Sequence, residues 1–272
     1  MKTNTSLQHI ECLSDGYVKH IETWGGDRGI IEAARMSTNK SFIGWGPLEE
    51  CEKCGLVIGE NDSGEGTRII SVSGDPQCAH KWLKPKRGDE RLLSYLYRNK
   101  HSTPFEMAGM TIEVKAPLLV FRQWHRHRTQ SYNEMSARYT PLPDENYRPT
   151  VERCIVVNSK NKQAGKTSAR TPTHEEVIEW LEDLDDVYAL AQRVYSMGLT
   201  LGIPKEVARC PVPVARYSRM RASANLRNWL AFMTLRSDPH AQYEIRVFSD
   251  ALGEFIKQSF PRTYALWAEG RT

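Results

Sequence analysis

No run of roughly eighteen apolar residues occurs in the 272-residue sequence, so no helix that could cross a bilayer is encoded. The opening stretch, MKTNTSLQHIECLSDGY, lacks the charged-then-apolar order of a secretory signal. A cytoplasmic protein with no membrane partner is therefore expected. Excess charge of one sign is also lacking: the formal net charge is +4, too mild for a surface that coats nucleic acid throughout. Six cysteines without an export signal argue against a disulfide framework and for free thiols or a metal site. Cys12, Cys154 and Cys210 stand alone and read as small core residues. No internal repeat is present. What remains is 40% apolar and 26% charged residues, the composition of a globular chain with a sizeable core.

Helices alternate with a few strands along this chain. Ile30, Ile31 and Ala34 mark a short amphipathic helix running into a polar turn. Between residues 44 and 86 glycine, aspartate, serine and proline become frequent, and this stretch reads as a module inserted into a single domain spanning 1–272. A helix follows from near Asp89, with Leu92, Leu93, Leu96 and Tyr97 on one side, and Pro104 breaks it. Thr111, Glu113 and Lys115 then alternate with Ile112 and Val114 as in a half-buried strand. Pro117 can open the next helix, extending to about Thr129. The polar, basic run 158–171 reads as a surface loop. Thr173 and Glu176 make a capping box for a helix whose Val177, Leu181, Leu184, Tyr188, Ala191 and Tyr195 step by three and four. Asp238 suits an N-cap before Pro239, with Ile245, Phe248, Leu252 and Phe255 on the apolar face that follows. With no beta-alpha-beta rhythm, the fold class is α+β.

The stretch FRQWHRHRTQSYNEMSARY, Phe121 to Tyr139, gathers Arg122, Arg126, Arg128 and Arg138 with His125 and His127. On a helix reaching Thr129, Gln123 shares a face with Arg126 or His127, whereas Arg126 and Arg128 diverge by about 200°. Glu134, Ser136 and Arg138 are spaced by two and would project to one side of an extended segment. Guanidinium groups fork onto phosphate, and Ser, Gln and Asn read the polar edges of a base or sugar, so a nucleotide suits the set. Two other readings are a nucleic-acid grip with Trp124, Tyr132 and Tyr139 as stacking platforms, and metal ligation by His125 and His127. The second is weaker, because histidines two apart diverge on a helix.

Arg126-His127-Arg128 followed, after seven residues, by Ser136 resembles the signature of the flavin-dependent thymidylate synthases, the ThyX family. Further blocks of that family stand in order: ARMS at 34–37, HSTPFE at 101–106, RQWHRHR at 122–128, NEMSARY at 133–139 and LRSDPHAQYEI at 235–245. The resemblance covers most of the chain except 44–86. It implies a mainly antiparallel sheet flanked by long helices and a homotetramer with shared active sites. It also implies a methyltransferase that converts dUMP to dTMP, with FAD as cofactor, methylenetetrahydrofolate as carbon donor, NADPH as reductant and no cysteine nucleophile. Carried over, the dUMP contacts fall on Gln123, Glu134, Ser136, Arg138, Arg209 and Arg236. The FAD contacts fall on Ser37, Thr103, Glu106, Arg126, His127, Arg128, Asn225, Arg227 and His240. Arg236, His101 and Ser136 stand nearest the chemistry, His101 on the folate and nicotinamide side and Ser136 as a binding hydroxyl. Cys210, in VARCPVP, takes a packing role, and Ala231 replaces an asparagine that family members often carry near the flavin.

The inserted stretch departs from the family. Cys51 and Cys54 form Cys-x2-Cys-Gly, a common zinc-knuckle turn, and Cys78 and His80 follow as a second pair separated by a single residue, closer than usual. Structural zinc and ordinary reduced thiols are both open readings of these four residues.

Overall fold

The computed structural model describes residues 9–60, 67–71, 78, 83–155 and 170–271. Its strands are β1 (His9–Cys12), β2 (Gly16–Trp24), β3 (Leu48–Cys51), β4 (Val57–Glu60), β5 (Thr67–Ser71), β6 (Leu83–Lys86), β7 (Gly109–Pro117), β8 (Ser131–Glu134) and β9 (Tyr217–Asn225). Its helices are α1 (Gly26–Arg35), α2 (Glu90–Arg98), α3 (Thr103–Glu106), α4 (Leu118–Trp124), α5 (Val151–Ile155), α6 (His174–Thr200), α7 (Lys205–Ala208), α8 (Leu226–Arg236), α9 (Tyr243–Ser259) and α10 (Pro261–Glu269). The class is α+β, with antiparallel pairing of β1 to β2, β8 to β9, and β3 to both β4 and β6. No helix among the described residues is long and apolar enough to cross a membrane.

The chain divides into two compact units. One gathers the described residues of Met1–Glu22, Met110–Ala224 and Asn228–Phe255. Its sheet has the order β1-β2-β7-β9-β8. The alternation expected for residues 111–115 is present: Met110, Ile112, Val114 and Ala116 of β7 are buried, as are Met220 and Ala222 of β9. The odd positions face the other way, where Thr111 Oγ1 donates to Ser223 Oγ at 3.0 Å. Trp124 is fully buried, with its ring 4.5 Å from Phe232 and edge-on to Trp229. Helix α6 starts as its sequence dictates: Thr173 Oγ1 accepts from Glu176 N–H, and the Glu176 carboxylate accepts from Thr173 N–H.

The other unit gathers the described residues of Thr23–Gly109, Asn225–Arg227 and Ile256–Thr272. Buried Asp27 caps α10, accepting from Arg262 N–H (2.8 Å) and from Thr263 N–H (3.2 Å) and Oγ1 (2.6 Å). The segment between residues 44 and 86 contributes its own four-stranded sheet, of order β5-β4-β3-β6. Its two ends meet. Asp89 N–H donates to Gly44 O at 2.9 Å, and Gly46 N–H donates to Glu90 Oε1 at 2.8 Å. A Cβ on Gly88 would collide with the Gly46 backbone nitrogen, so glycine is required for the two legs to pass. Asp89, fully buried, locks this stem by accepting from Ile43 N–H (2.8 Å) and from the Arg35 guanidinium (Nε, 3.0 Å).

Four local expectations need correction. Helix α4 ends at Trp124 instead of near Thr129, and Pro117 is its extended N-cap instead of its first residue. Pro104 lies within the short helix α3. Helix α9 begins at Tyr243, and Asp238 instead caps a tight turn by accepting from His240 N–H at 2.8 Å. Cys210 is exposed, so it is not a packing residue, whereas Cys12 is buried and desolvation pushes its thiol up to about 12. His80, and the run 158–171 apart from Arg170 and Thr171, lie outside the described residues.

Candidate active site

In the first unit, β8 ends at Glu134 and the chain turns. Met135 N–H still pairs with Arg219 O (2.8 Å), but Tyr139 and Thr140 N–H both donate to Ser136 O (3.0 and 3.2 Å). Glu134, Ser136 and Arg138 therefore do not line one side of an extended strand. Glu134 and Ser136 instead line a cavity of about 620 Å³ with Arg122, Glu206, Arg209 and Cys210. Arg138 does not line it and lies over the Tyr139 ring, 5.6 Å from the centroid. Neither Arg122 nor Arg209 makes an ion pair among the described residues. At the same wall the Ser218 hydroxyl is buried without a hydrogen-bond partner among the described residues. A site with two unengaged guanidinium groups, two carboxylates and two hydroxyls suits a small phosphorylated, hydrogen-bonding ligand.

Arg122, Glu206 and Ser218 were not among the sequence candidates. Arg122 carried a signal, standing one helical turn before Arg126; Ser218 carried none, because only the fold brings β9 to this cavity. A second hollow of about 590 Å³ lies on the polar face of β7, β8 and β9. Its Glu113 is already engaged, accepting from Tyr17 OH (2.8 Å) and Arg221 (3.2 Å), so the first cavity is the better ligand site.

The end of α4 is tied to α8. Arg236, the last residue of α8, donates from Nε to His127 Nε2 (2.9 Å) and from NH2 to Gln123 O (3.0 Å). Tyr132 OH donates to His127 O at 2.6 Å. The Gln123 amide donates to Gln242 Oε1, and Gln123 does not line the cavity. Desolvation first, and the Arg236 charge second, push the His127 imidazole down to about 4. It is therefore neutral and accepts the Arg236 proton. The unfolded chain takes up a proton near pH 6.5 and the folded chain only near 4, so this contribution is complete above pH 6.5 and lost as pH falls through that window. Allowing for partial exposure, the loss is about 1–2 kcal/mol. Urea unfolding should show that decrease between neutral pH and pH 4 in the native sequence, and a smaller one in His127→Gln.

The same geometry removes two readings of the arginine stretch. Trp124 is buried and Tyr132 is bonded to the backbone, which withdraws two of the three stacking platforms. His127 is engaged by Arg236, and the group able to hold a metal among the described residues is Cys51, Cys54 and Cys78.

In the second unit the ARMS and HSTPFE blocks come together. Arg35 fixes the end of α1 through Asp89, and Ser37 sits in the tight turn that follows, its hydroxyl donating to Ala34 O (3.0 Å). Ser37, His101 and Thr103 line one hollow of about 350 Å³ with Ala33, Ala34, Leu96, Pro104 and Met107. Hydroxyls and an imidazole over an apolar floor fit a flat amphipathic ring system such as flavin. Glu106 accepts from Arg227 NH1 at 2.6 Å, and Asn225 lies at the end of β9. Arg126, Arg128 and His240, of the first unit, are exposed, and the His240 ring meets Asp238 Oδ1 at 2.8 Å. Ala231 is an exposed residue of α8.

Fold and site together define an antiparallel α+β protein with a cation-lined cavity for a small phosphorylated ligand. A family profile described as "Thymidylate synthase complementing protein" matches residues 20–262. The chain is 33% identical over 258 residues to the flavin-dependent thymidylate synthase of Wolbachia pipientis wMel, covering 94% of this chain and 75% of that relative. It is 32% identical over 260 residues to that of Thermus thermophilus, covering 96% and 78%. The chain belongs to the flavin-dependent thymidylate synthase family. Among solved structures, a UMP/dUMP methylase, PolB from Streptomyces cacaoi bound with 5-Br dUMP, is similar with a TM-score of 0.69 at 25% identity, covering 96% of this chain and 97% of that one.

Proposed function

We propose that this protein is a cytoplasmic methyltransferase that converts dUMP to dTMP, using FAD, methylenetetrahydrofolate as carbon donor and NADPH as reductant. The observation that carries the reading is the cavity shared by Glu134, Ser136, Arg122 and Arg209. The two guanidinium groups take the phosphate, and Glu134 and Ser136 bond the sugar and base. Arg236 does not line this cavity but is held by His127 and Gln123, and its assigned role is to oppose negative charge developing on the pyrimidine ring. Arg138 adds a phosphate contact from its exposed position.

Ser37, Thr103, Glu106, Asn225 and Arg227 are the flavin contacts proposed within the second unit, and Arg126, His127, Arg128 and His240 are those proposed within the first. His101 lies beside the hydroxyl pair, where folate and nicotinamide would approach. When bound, the flavin supplies the redox chemistry that links the nicotinamide to the transferred carbon. Ser136 Oγ accepts from Arg138 N–H and has no base bonded to it among the described residues, which supports a binding role over a nucleophilic one.

A homotetramer with shared sites is supported by α6. Trp180, Val187, Leu190, Val194, Met197 and Leu201 are all exposed and recur at intervals of seven, three and four, a second apolar stripe about a third of a turn around from the one that packs on the protein's own core. The reading is tested by anaerobic incubation of yellow, purified protein with dUMP, methylenetetrahydrofolate and NADPH, following dTMP. A colourless protein that forms no dTMP overturns it. Although Cys210 lines the cavity, Cys210→Ala should keep at least about half the activity, because among the described residues no general base is bonded to its thiol. A folded but inactive Cys210→Ala would reopen covalent catalysis at sulfur.

A further inference from the structure

The sheet built from β3, β4, β5 and β6 has little apolar interior. Its buried apolar side chains among the described residues are Leu48, Cys51, Leu56 and Val57. A sheet with so small a core needs another source of cohesion. At the end of β3 the chain forms a tight turn: Gly55 N–H donates to Cys51 O and Cys51 N–H donates to Leu56 O, both at 2.8 Å. Gly55 has φ +71°, which favours glycine there. Cys54 is thereby turned back toward the end of β3, where its sulfur receives a hydrogen bond from the Leu56 backbone.

Cys78 joins this turn from a distant part of the chain. The three sulfur atoms lie within 4.8 Å of one another, and all three cysteines are free thiols. Cys51 Sγ and Cys78 Sγ are 3.7 Å apart. A disulfide needs about 2.05 Å. A tetrahedron with metal–sulfur bonds of about 2.3 Å has sulfur–sulfur edges of about 3.8 Å. The spacing is that of ligands around one ion.

We propose that Cys51, Cys54 and Cys78 bind a structural zinc ion as thiolates and that the ion holds the β3–β4 turn to the segment carrying Cys78. Each sulfur gives its proton to solvent and an electron pair to the metal, and a fourth ligand completes the tetrahedron. Zinc suits this set because soft thiolate ligands in tetrahedral geometry select zinc or iron, and a structural site needs no redox change. Its ligands share no residue with the nucleotide cavity, so the presence or absence of the ion is independent of the thymidylate reading.

The test is metal content of the full-length protein, expressed in zinc-supplemented medium and purified without chelator. About one zinc per chain is expected. Because Cys51 is fully buried, the informative replacements are at half-buried Cys54 and Cys78. Cys54→Ser and Cys78→Ser should each lower zinc content about tenfold, whereas Cys154→Ser should keep it. Cobalt exchanged into the native protein should give the intense visible bands of a tetrahedral thiolate site, and these should be lost in Cys54→Ser. Native protein with far less than one metal ion per chain overturns the proposal. Retention of zinc in both Cys54→Ser and Cys78→Ser also overturns it, and iron at one per chain in place of zinc overturns the choice of ion.

Discussion

Arg236→Ala is expected to keep its flavin yet form dTMP about 10²–10³-fold more slowly, the usual effect of removing a preorganised charge from a transition state. The guanidinium has little freedom: Nε is fixed on His127 and NH2 on Gln123 O, so the group cannot turn away when substrate binds. Burial, and then the neighbouring Arg126 charge, lower its affinity for its proton, so the site carries a cation it has been built to oppose with negative charge from elsewhere. Lysine cannot reproduce a planar fork with two directed bonds, so Arg236→Lys should recover little of the rate. In Arg236→Ala the His127 imidazole keeps the burial that chiefly holds its pKa down but loses the smaller contribution of the positive neighbour, so its pKa should rise from about 4 by only part of the way to the ordinary histidine value. Proton NMR of the ring reads that shift separately from turnover. Near-normal dTMP formation in the alanine variant would remove Arg236 from the chemistry.

Glu244→Ala should have the largest effect on stability. Glu244 is buried and accepts from Tyr147 OH (3.0 Å), Arg153 Nε (2.8 Å) and the Gln242 amide (2.7 Å). Burial by itself would raise its pKa, but the bonds from Arg153 and Gln242 outweigh it and hold the carboxyl below the ordinary glutamate range. Its contribution to stability is thus present above the ordinary glutamate pKa and lost as pH falls through the lowered one. Removing the carboxylate leaves a guanidinium and a phenol without their partner, at a cost of about 3 kcal/mol or more. Glu244→Gln keeps an acceptor for Tyr147 but not the charge opposite Arg153, so about half of that loss is expected. Urea midpoints decide the matter: a Glu244→Ala variant within about 1 kcal/mol of the native protein would show that the network does not hold this region. Because Gln242 also bonds Gln123, the variant tests whether this buried carboxylate steadies the end of α4.

Features carried by local chemistry were legible in the sequence. The Thr173–Glu176 capping box, the alternation of β7 and the start of α2 at Glu90 each depend on residues a few positions apart. The end of α4 depends on remote ones. At its last turn Trp124 O and Gln123 O also accept from Tyr132 OH (3.3 Å) and from Arg236, which lies over a hundred residues further on, so no local signal could place that end. The spacing of Glu134, Ser136 and Arg138 misled in the same way. Period two is informative only while the chain stays extended, and the bonds from Tyr139 and Thr140 to Ser136 O end the strand. The motif blocks nonetheless named Glu134 and Ser136 of one cavity, to which the wider resemblance added Arg209, and Ser37, His101 and Thr103 of one hollow. Ser218 entered through geometry alone.

The crossing of Gly46 and Gly88 gives the segment beyond it a shared point of departure and return. A chain that leaves and re-enters within one hydrogen bond, Asp89 N–H to Gly44 O at 2.9 Å, imposes no displacement on what precedes or follows it. Whatever hangs from that crossing can lengthen, shorten or change its contents without moving Ser37 on one side or His101 on the other. The stem is in this sense a graft junction: a place where the chain accepts new material while the hollow that its flanks build keeps its shape.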